Sequence, residues 1–302
     1  MNLAHLSNFV RIAEAQSLSK AASIIRIAQP ALSRQVKTLE AELGAPLLVR
    51  HAWGVTLTPA GQSLLESARR ILRDVQQAQE AIEALENEPV GAVTLGAPSS
   101  LATALYPRLL PRIRQKHPKV RLRLIDALSG GLHQRTLAGE IDLAILHNDR
   151  SLGPLAAAPL LEEPLGLIGS AAAIDALPPL DAQLLASLPL IAPTGSNRSR
   201  KTLEAIVGDP AGQLVAEVDC LPAMLQMVAA GMGFCILPYS SIEADAARGV
   251  LAFRSLPAPT PARDMVLVHA LDRPPTLAAH AVEAELRRLV AELAPRMRWA
   301  VA

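Results

Sequence analysis

SLSKAASIIRIAQPALSRQVKTLE, residues 17–40, is the stretch from which the rest of the chain is read. Ser17 and Ser19 stand before an apolar-periodic run, Ala21, Ala22, Ile24 and Ile25. A hydroxyl at that place accepts from the free N–H groups of a first helical turn, so the spacing predicts a helix over 20–26. Pro30 restricts the residue before it and is well tolerated in a first turn, which places a break at 27–30 and a second helix over 30–42. In that helix Leu32, Val36, Leu39 and Leu43 recur at three- and four-residue steps, one narrow stripe expected to face the first helix. The opposite face carries Gln29, Ser33, Arg34 and Lys37. Arg forks onto guanine, Gln onto adenine, and Ser or Lys reaches phosphate oxygens. A solvated helix face has the same composition. The coincidence of a short turn, the Ala21-Ala22 pair and a polar first turn favours a helix-turn-helix whose second helix reads DNA.

Upstream, Leu3, Leu6, Phe9, Val10, Ile12 and Ala13 make an amphipathic helix to cover the back of this pair. Downstream, Leu43-Gly44 closes the second helix, glycine supplying a left-handed cap. LLVR, HAWG and VTLTPAG then read as two short strands joined by a tight turn at Gly54, with Pro59 starting another helix: a wing. The DNA-contacting set expected from the module is Ser17, Ser19, Gln29, Pro30, Ser33, Arg34, Lys37, Arg50 and Thr56; His51 is a further candidate for phosphate or the minor groove, and ordinary hairpin surface is the alternative for His51, Thr56 and Arg50. Residues 1–61 carry six cations (Arg11, Lys20, Arg26, Arg34, Lys37, Arg50) against three acids (Glu14, Glu40, Glu42), or +3, whereas the whole chain is only +1. The basic excess therefore sits where the motif sits.

No Gly or Pro interrupts residues 62–88, and Leu64, Ala68, Ile71, Val75, Ala78, Ile82 and Leu85 alternate by four and three. That is an a/d seam, which needs a partner helix, and the natural one belongs to a second copy. Packing against its own chain is the alternative.

The run Phe9, Ala13, Ser17, Ala21-Ala22, Gln29-Pro30-Ala31-Leu32-Ser33, Leu39-Glu40, Leu43-Gly44, Leu47, Arg50, Thr56, Thr58 and Gly61 resembles the LysR-type transcriptional regulators. IAQPALSRQVKTLEAEL is especially similar to the nitrogen assimilation control branch of that family, and Leu48 departs from it where most members have Phe. The resemblance implies promoter DNA as a partner, a homodimer or homotetramer, RNA polymerase as a possible further partner, and a two-lobed effector domain similar to periplasmic solute-binding proteins.

Beyond Pro89 the residues themselves point the same way. Short apolar runs (AVTLGA, VRLRLID, DLAIL, LGLIG, LPLIA, FCILP, MVLVHAL) alternate with helical patterns at 105–116, 132–138, 199–207, 222–230 and 277–294, which predicts α/β with largely parallel sheets. The expected division is a winged helix-turn-helix over 1–61, a dimerisation helix over 62–88 and an effector-binding domain over 89–302. Lobe I takes 89–164 and 267–302, and lobe II takes 165–266. Ligands in open α/β sheets lie beyond the carboxyl ends of strands, where helix N-termini face anions. Ser99, Ser100, Ser129 and His147 stand at such ends in the first lobe, and Thr194 and Ser196 in the polar loop of the second. By the resemblance, Ser99, Ser100, His147, Thr194 and Ser196 line the pocket of a small, anionic effector. Helix capping is the alternative for the two serines at 99 and 100.

The chain lacks G-x-S-x-G, H-E-x-x-H and P-loop patterns, so neither a catalytic residue, a metal ligand nor a cofactor is expected. No long apolar stretch or secretion signal is apparent, which predicts a cytoplasmic protein without a membrane partner and weighs against a solute-binding protein. Cys220 and Cys235 lie beside apolar residues and are expected as buried thiols. Regulation by abundance alone, without an effector, stays open.

Overall fold

The computed structural model describes residues 1–83, 88–148, 152–195, 198–259 and 261–301. The chain forms two compact units, Met1–Asn87 with Ala138–Glu140, and Glu88–Leu137 with Ile141–Ala302.

In the first unit, α1 (Leu3–Ala15) begins on Asn2, whose side chain accepts from the His5 N–H, and α2 (Leu18–Ile25) begins on Ser17, whose hydroxyl accepts from the Lys20 N–H at 3.3 Å. The cap is thus Ser17 and not Ser19, and the helix starts two residues earlier than the apolar pattern indicates. The α3 helix (Gln29–Leu43) has Pro30 in its first turn and ends on Gly44 at φ +68°. Leu32, Val36 and Leu39 are buried, but Leu43 is exposed, as is Ile24 of α2. Both apolar stripes are shorter than their spacing because the last turn of each helix overhangs the core.

A hairpin follows, β1 (Leu48–His51) with β2 (Gly54–Leu57), in antiparallel register Leu48↔Leu57 and His51↔Gly54. The turn is therefore Ala52-Trp53, and Gly54 opens the second strand. Glycine is required there for a different reason: at φ +149° an added Cβ would lie 2.4 Å from the Gln16 carbonyl, which accepts from the Val55 N–H. Glu40 accepts from the Leu47 and Leu48 N–H groups at 2.9 and 3.3 Å, tying the hairpin to α3. The α4 helix (Pro59–Glu83) contributes Leu65 and Ala68 to a core with Phe9, Ile12, Leu32, Val36, Leu39 and Leu47, and Leu64, Ile71 and Leu72 pack against it. The first turns of the heptad seam are thus taken by their own chain, since spacing specifies an apolar stripe without saying whose surface covers it. Ala78 is exposed, and the Ile82 and Leu85 side chains lie outside what is described.

The second unit runs β3 (Gly91–Ala97), α5 (Ser99–Lys116), β4 (Val120–Asp126), α6 (Ser129–Leu137), β5 (Leu143–His147), β6 (Leu155–Ser170), α7 (Ala171–Ala176), α8 (Ala182–Leu185) and β7 (Leu190–Ala192). It continues with α9 (Arg198–Val207), β8 (Leu214–Glu217), α10 (Leu221–Ala229), β9 (Cys235–Pro238), a 3₁₀ turn at Tyr239–Ser241, α11 (Glu243–Ala247), β10 (Leu251–Ser255), β11 (Ala262–Ala270), α12 (Leu277–Met297) and β12 (Ala300–Val301). Eight strands form one sheet, ordered β10-β6-β11-β5-β3-β4 with β9 and β12 also paired to β6, and β7 pairs β8 separately.

The sheet is mixed and not largely parallel: β3 runs parallel to β4 and β5, but β6 is antiparallel to β9, β10, β11 and β12. The run LGLIG is only the tail of the 16-residue β6, which Pro159 and Pro164 disguise, since proline ordinarily marks the end of a strand. The register slips between Met265 and Val266, leaving Leu160 as a bulge opposite them. At Pro164 β6 still faces Ala262 of β11, and from Leu165 it faces β9 and β10, so this one strand serves both halves of the unit. One half is cored by α5 and α12 against β3 (Leu95, Leu105, Leu109, Leu286, Leu289), the other by Leu165, Leu167, Ile174, Leu190 and Leu203.

Candidate nucleic-acid interface and ligand cleft

The proposed reading face is assembled on one helix and one hairpin. Gln29, Pro30, Arg34 and Lys37 are exposed on α3, while Ser33 is half-buried and accepts from Arg50 Nη2 at 2.9 Å. That bond fixes the wing against the helix. Asn8 donates to Gln35 at 2.7 Å, which fixes the back of α3 on α1. Lys20, Arg26, Arg34, Lys37 and Arg50 enter no ion pair among the described residues, leaving their charge to an external anion. Ser19 and Thr56 are exposed, and Ser17 spends its acceptor on the α2 cap. Across the hairpin His51 Nε2 lies 2.9 Å from Thr56 Oγ1, and the His51 ring stacks on Trp53 with centroids 5.8 Å apart and planes at 11°. Trp53 was absent from the sequence-based set because a lone apolar residue in a turn carries no periodic signal.

In the second unit a cleft open to solvent lies between the two halves. One wall comes from the strand ends of β3, β4 and β5: Ser99, Ser100, Ser129 and His147. The facing wall includes Val218, Asp219 and Met224, and Arg263 of β11 lines it too. Four of the six sequence-predicted residues therefore meet here. Thr194 does not line the cleft: its hydroxyl donates to Asp219 Oδ2 at 2.6 Å and its N–H to Oδ1 at 3.2 Å, so it orients a lining carboxylate. Ser196 lies outside the described residues.

The capping alternative for the serines fails, because the N-cap of α5 is Pro98, with no side-chain cap. Ser99 Oγ donates instead to Asp126 Oδ2 at 3.0 Å, and buried Ser100 accepts from Arg263 Nη2 at 2.9 Å. Arg263 pairs with Glu163 of β6, both nearly fully buried, and Glu163 Oε2 also accepts from Ser240 Oγ (2.8 Å) and Trp299 Nε1 (3.3 Å). The Nε of Arg263 has no hydrogen-bond partner among the described residues. Sequence reasoning missed Arg263 and Glu163 because they sit a hundred residues apart, one at the start of β11 and one in the middle of β6, with no motif around either.

Burial, and then the nearby Asp126 charge, hold the Tyr106 phenol well above its ordinary range, so it remains a neutral donor at the Ile125 carbonyl, 2.6 Å away. Burial likewise pushes the Cys235 thiol up to about 12. Cys220 is exposed and not buried as expected: it is the N-cap of α10, where the chain leaves the core before the helix begins. Among the described residues no group of three or more His, Cys, Asp or Glu is disposed to hold a metal ion, and no helix is long and apolar enough to cross a membrane.

A winged helix-turn-helix joined to an α/β domain with a cleft between its halves defines a DNA-binding regulator carrying an effector-binding domain. Residues 3–62 match the family described as bacterial regulatory helix-turn-helix protein, lysR family, and residues 86–291 match the LysR substrate binding domain. The chain belongs to the LysR family of transcriptional regulators. It is 35% identical over 260 residues to the nitrogen assimilation regulatory protein nac of Klebsiella aerogenes, covering 85% of each chain. To the regulator BbuR of Bordetella bronchiseptica it is 32% identical over 256 residues, covering 83% of this chain and 78% of the other. Full-length OxyR from Pseudomonas aeruginosa superposes with a TM-score of 0.74 at 25% identity, covering 96% of this chain and 94% of that one. Full-length CbnR, solved with its target DNA, shares the fold with a TM-score of 0.72 at 22% identity, covering 97% and 99%.

Proposed function

We propose that this LysR-type regulator binds promoter DNA as a symmetric homodimer, extended to a homotetramer, through residues 1–61, with the remainder of the seam in residues 62–88, where Ala78 is exposed, pairing two copies. Two heads on a two-fold axis then engage two half-sites. The observation that carries the reading is the face of α3: Gln29, Arg34 and Lys37 exposed together, with Arg50 held beside them by Ser33. Arg34 and Gln29 read base edges, and Lys37 and Arg50 hold phosphates. The chain acts by binding and not by catalysis, in the cytoplasm where the DNA is, with RNA polymerase as the partner that reads out its placement. Selecting duplexes from a random-sequence pool with the full chain tests this: an enriched, two-fold-related motif is expected, and Arg34→Ala should lose the preference.

The cleft is read as the site of a small effector that presents a carboxylate to Arg263, Ser100 and His147 and a donor to Asp219. Binding between two halves that share β6 changes their angle and so biases the DNA heads. Regulation by abundance is favoured by one observation, that Ser99, Ser100 and Arg263 already bond to groups of the protein. A thermal-shift screen of small carboxylates separates the two. Stabilisation of the parent that His147→Ala and Ser129→Ala abolish supports the effector, and a flat screen favours abundance.

A further inference from the structure

We propose that Trp53 is a DNA contact of the wing, its indole packing on the sugar–phosphate wall beside the segment that α3 reads, and that it supplies affinity insensitive to salt. The inference rests on the reading of α3 given above. Trp53 is 87% exposed, the most exposed large hydrophobic residue described. An indole has far more apolar surface to hide than most side chains, and here the fold hides almost none of it.

The ring is nevertheless held. It stacks on His51, which lies within hydrogen-bond distance of Thr56 across the hairpin. The hairpin it caps is tied to the end of α1 by the Val55 N–H bond to the Gln16 carbonyl and to α3 by the Arg50–Ser33 bond. A ring oriented in advance loses little conformational freedom on contact.

The surroundings identify the partner. Residues 48–58 contain no acid, and Arg50, Arg34 and Lys37 enter no ion pair among the described residues. Arg50, bonded to Ser33 of α3, joins the hairpin to that cationic face, so a polyanion lying along α3 reaches the hairpin too. Apolar side chains beside such cations wedge against base steps in minor-groove contacts, and aromatic ones stack on bases of single strands. Phosphate contacts release counterions and weaken with salt, whereas a packed indole releases none.

The test uses a duplex selected by the full-length chain from a random-sequence pool, with dissociation constants measured across a salt series for the parent, Trp53→Ala, Arg50→Ala and Arg34→Ala. Trp53→Ala should weaken binding about fivefold or more, as for hiding about 40 Å² of apolar indole surface at about 25 cal/mol per Å², with the salt slope unchanged. Arg50→Ala should lower that slope by about one. The only other tryptophan, Trp299, is 6% exposed, so acrylamide quenching reports Trp53, which DNA should protect. Undiminished affinity in Trp53→Ala, a reduced salt slope in it, or full quenching in the complex overturns the proposal. If Arg34→Ala loses sequence preference while Trp53→Ala matches the parent, only the wing contact fails. A pool with no enriched motif removes the α3 reading and this inference together. Should Trp53→Ala not fold, the quenching of the parent decides.

Discussion

Arg34 and Lys37 lie one helical turn apart on α3 and are assigned different work. Replacing Arg34 with Ala should cost about 1–3 kcal/mol of specific binding and relax the preference at one base position, whereas Lys37→Ala should weaken all duplexes alike and lower the salt slope by about one. Salt-series titrations on selected and scrambled duplexes distinguish them. Inside the second unit the decisive pair is Arg263 with Glu163, at 6% and 1% exposure. Glu163→Gln leaves a buried guanidinium without its counter-charge and should cost about 3–5 kcal/mol, seen as a fall in Tm, while pairing Glu163→Gln with Arg263→Met should restore most of it. The cysteines differ just as sharply. Cys235 has its folded pKa raised to about 12 by burial, so the stability it contributes is complete below its unfolded pKa and is lost as pH rises from there to about 12. One thiol, Cys220, should react with a disulfide reagent in the native protein, and the second only after denaturation. Two fast equivalents in the native state would contradict the burial of Cys235.

At the scale of elements, the helix-turn-helix is held together by close approaches as much as by its apolar stripe. A Cβ on Gly61 would come within 2.1 Å of the Leu47 carbonyl, which also accepts from Thr58, so Gly61→Ala should push α4 off the hairpin and lower the Tm of the first unit. A variant as stable as the parent would show that the hairpin simply moves aside. Periodicity located α1, α3 and the long run of α4 because each has one buried stripe, and it located β3, β4 and β5 because each is a short apolar run. It failed at β6, where two prolines and a bulge interrupt a strand of 16 residues. It failed also at β8 and β10, whose side chains alternate too weakly to stand out from loops.

For the whole molecule, the dimer and the cleft set the expected behaviour. The seam of α4 is shared between its own chain and, on the present proposal, a second copy, so Ala78→Glu should dissociate dimers while leaving the first unit folded. Analytical ultracentrifugation with circular dichroism separates those outcomes, and retained dimers would place the interface elsewhere. The DNA-reading module was legible in residues 17–40 because caps, turn and recognition face lie within one or two turns of each other, where local spacing is enough. The effector cleft was legible only in part. Ser99, Ser100, Ser129 and His147 could be placed because strand-end loops follow from the order of elements. The lining Arg263, its partner Glu163, and the diversion of Thr194 onto Asp219 could not. Sequence by itself determined the class of protein, the helix proposed to face DNA and the presence of an α/β domain, all of which rest on neighbours in the chain. Only the tertiary structure decided which carboxylate meets which cation across a hundred residues, which stripe of α4 is already covered, and that an indole is held exposed at the tip of the wing. Burial and pairing of that kind depend on distance in space, which no local pattern encodes.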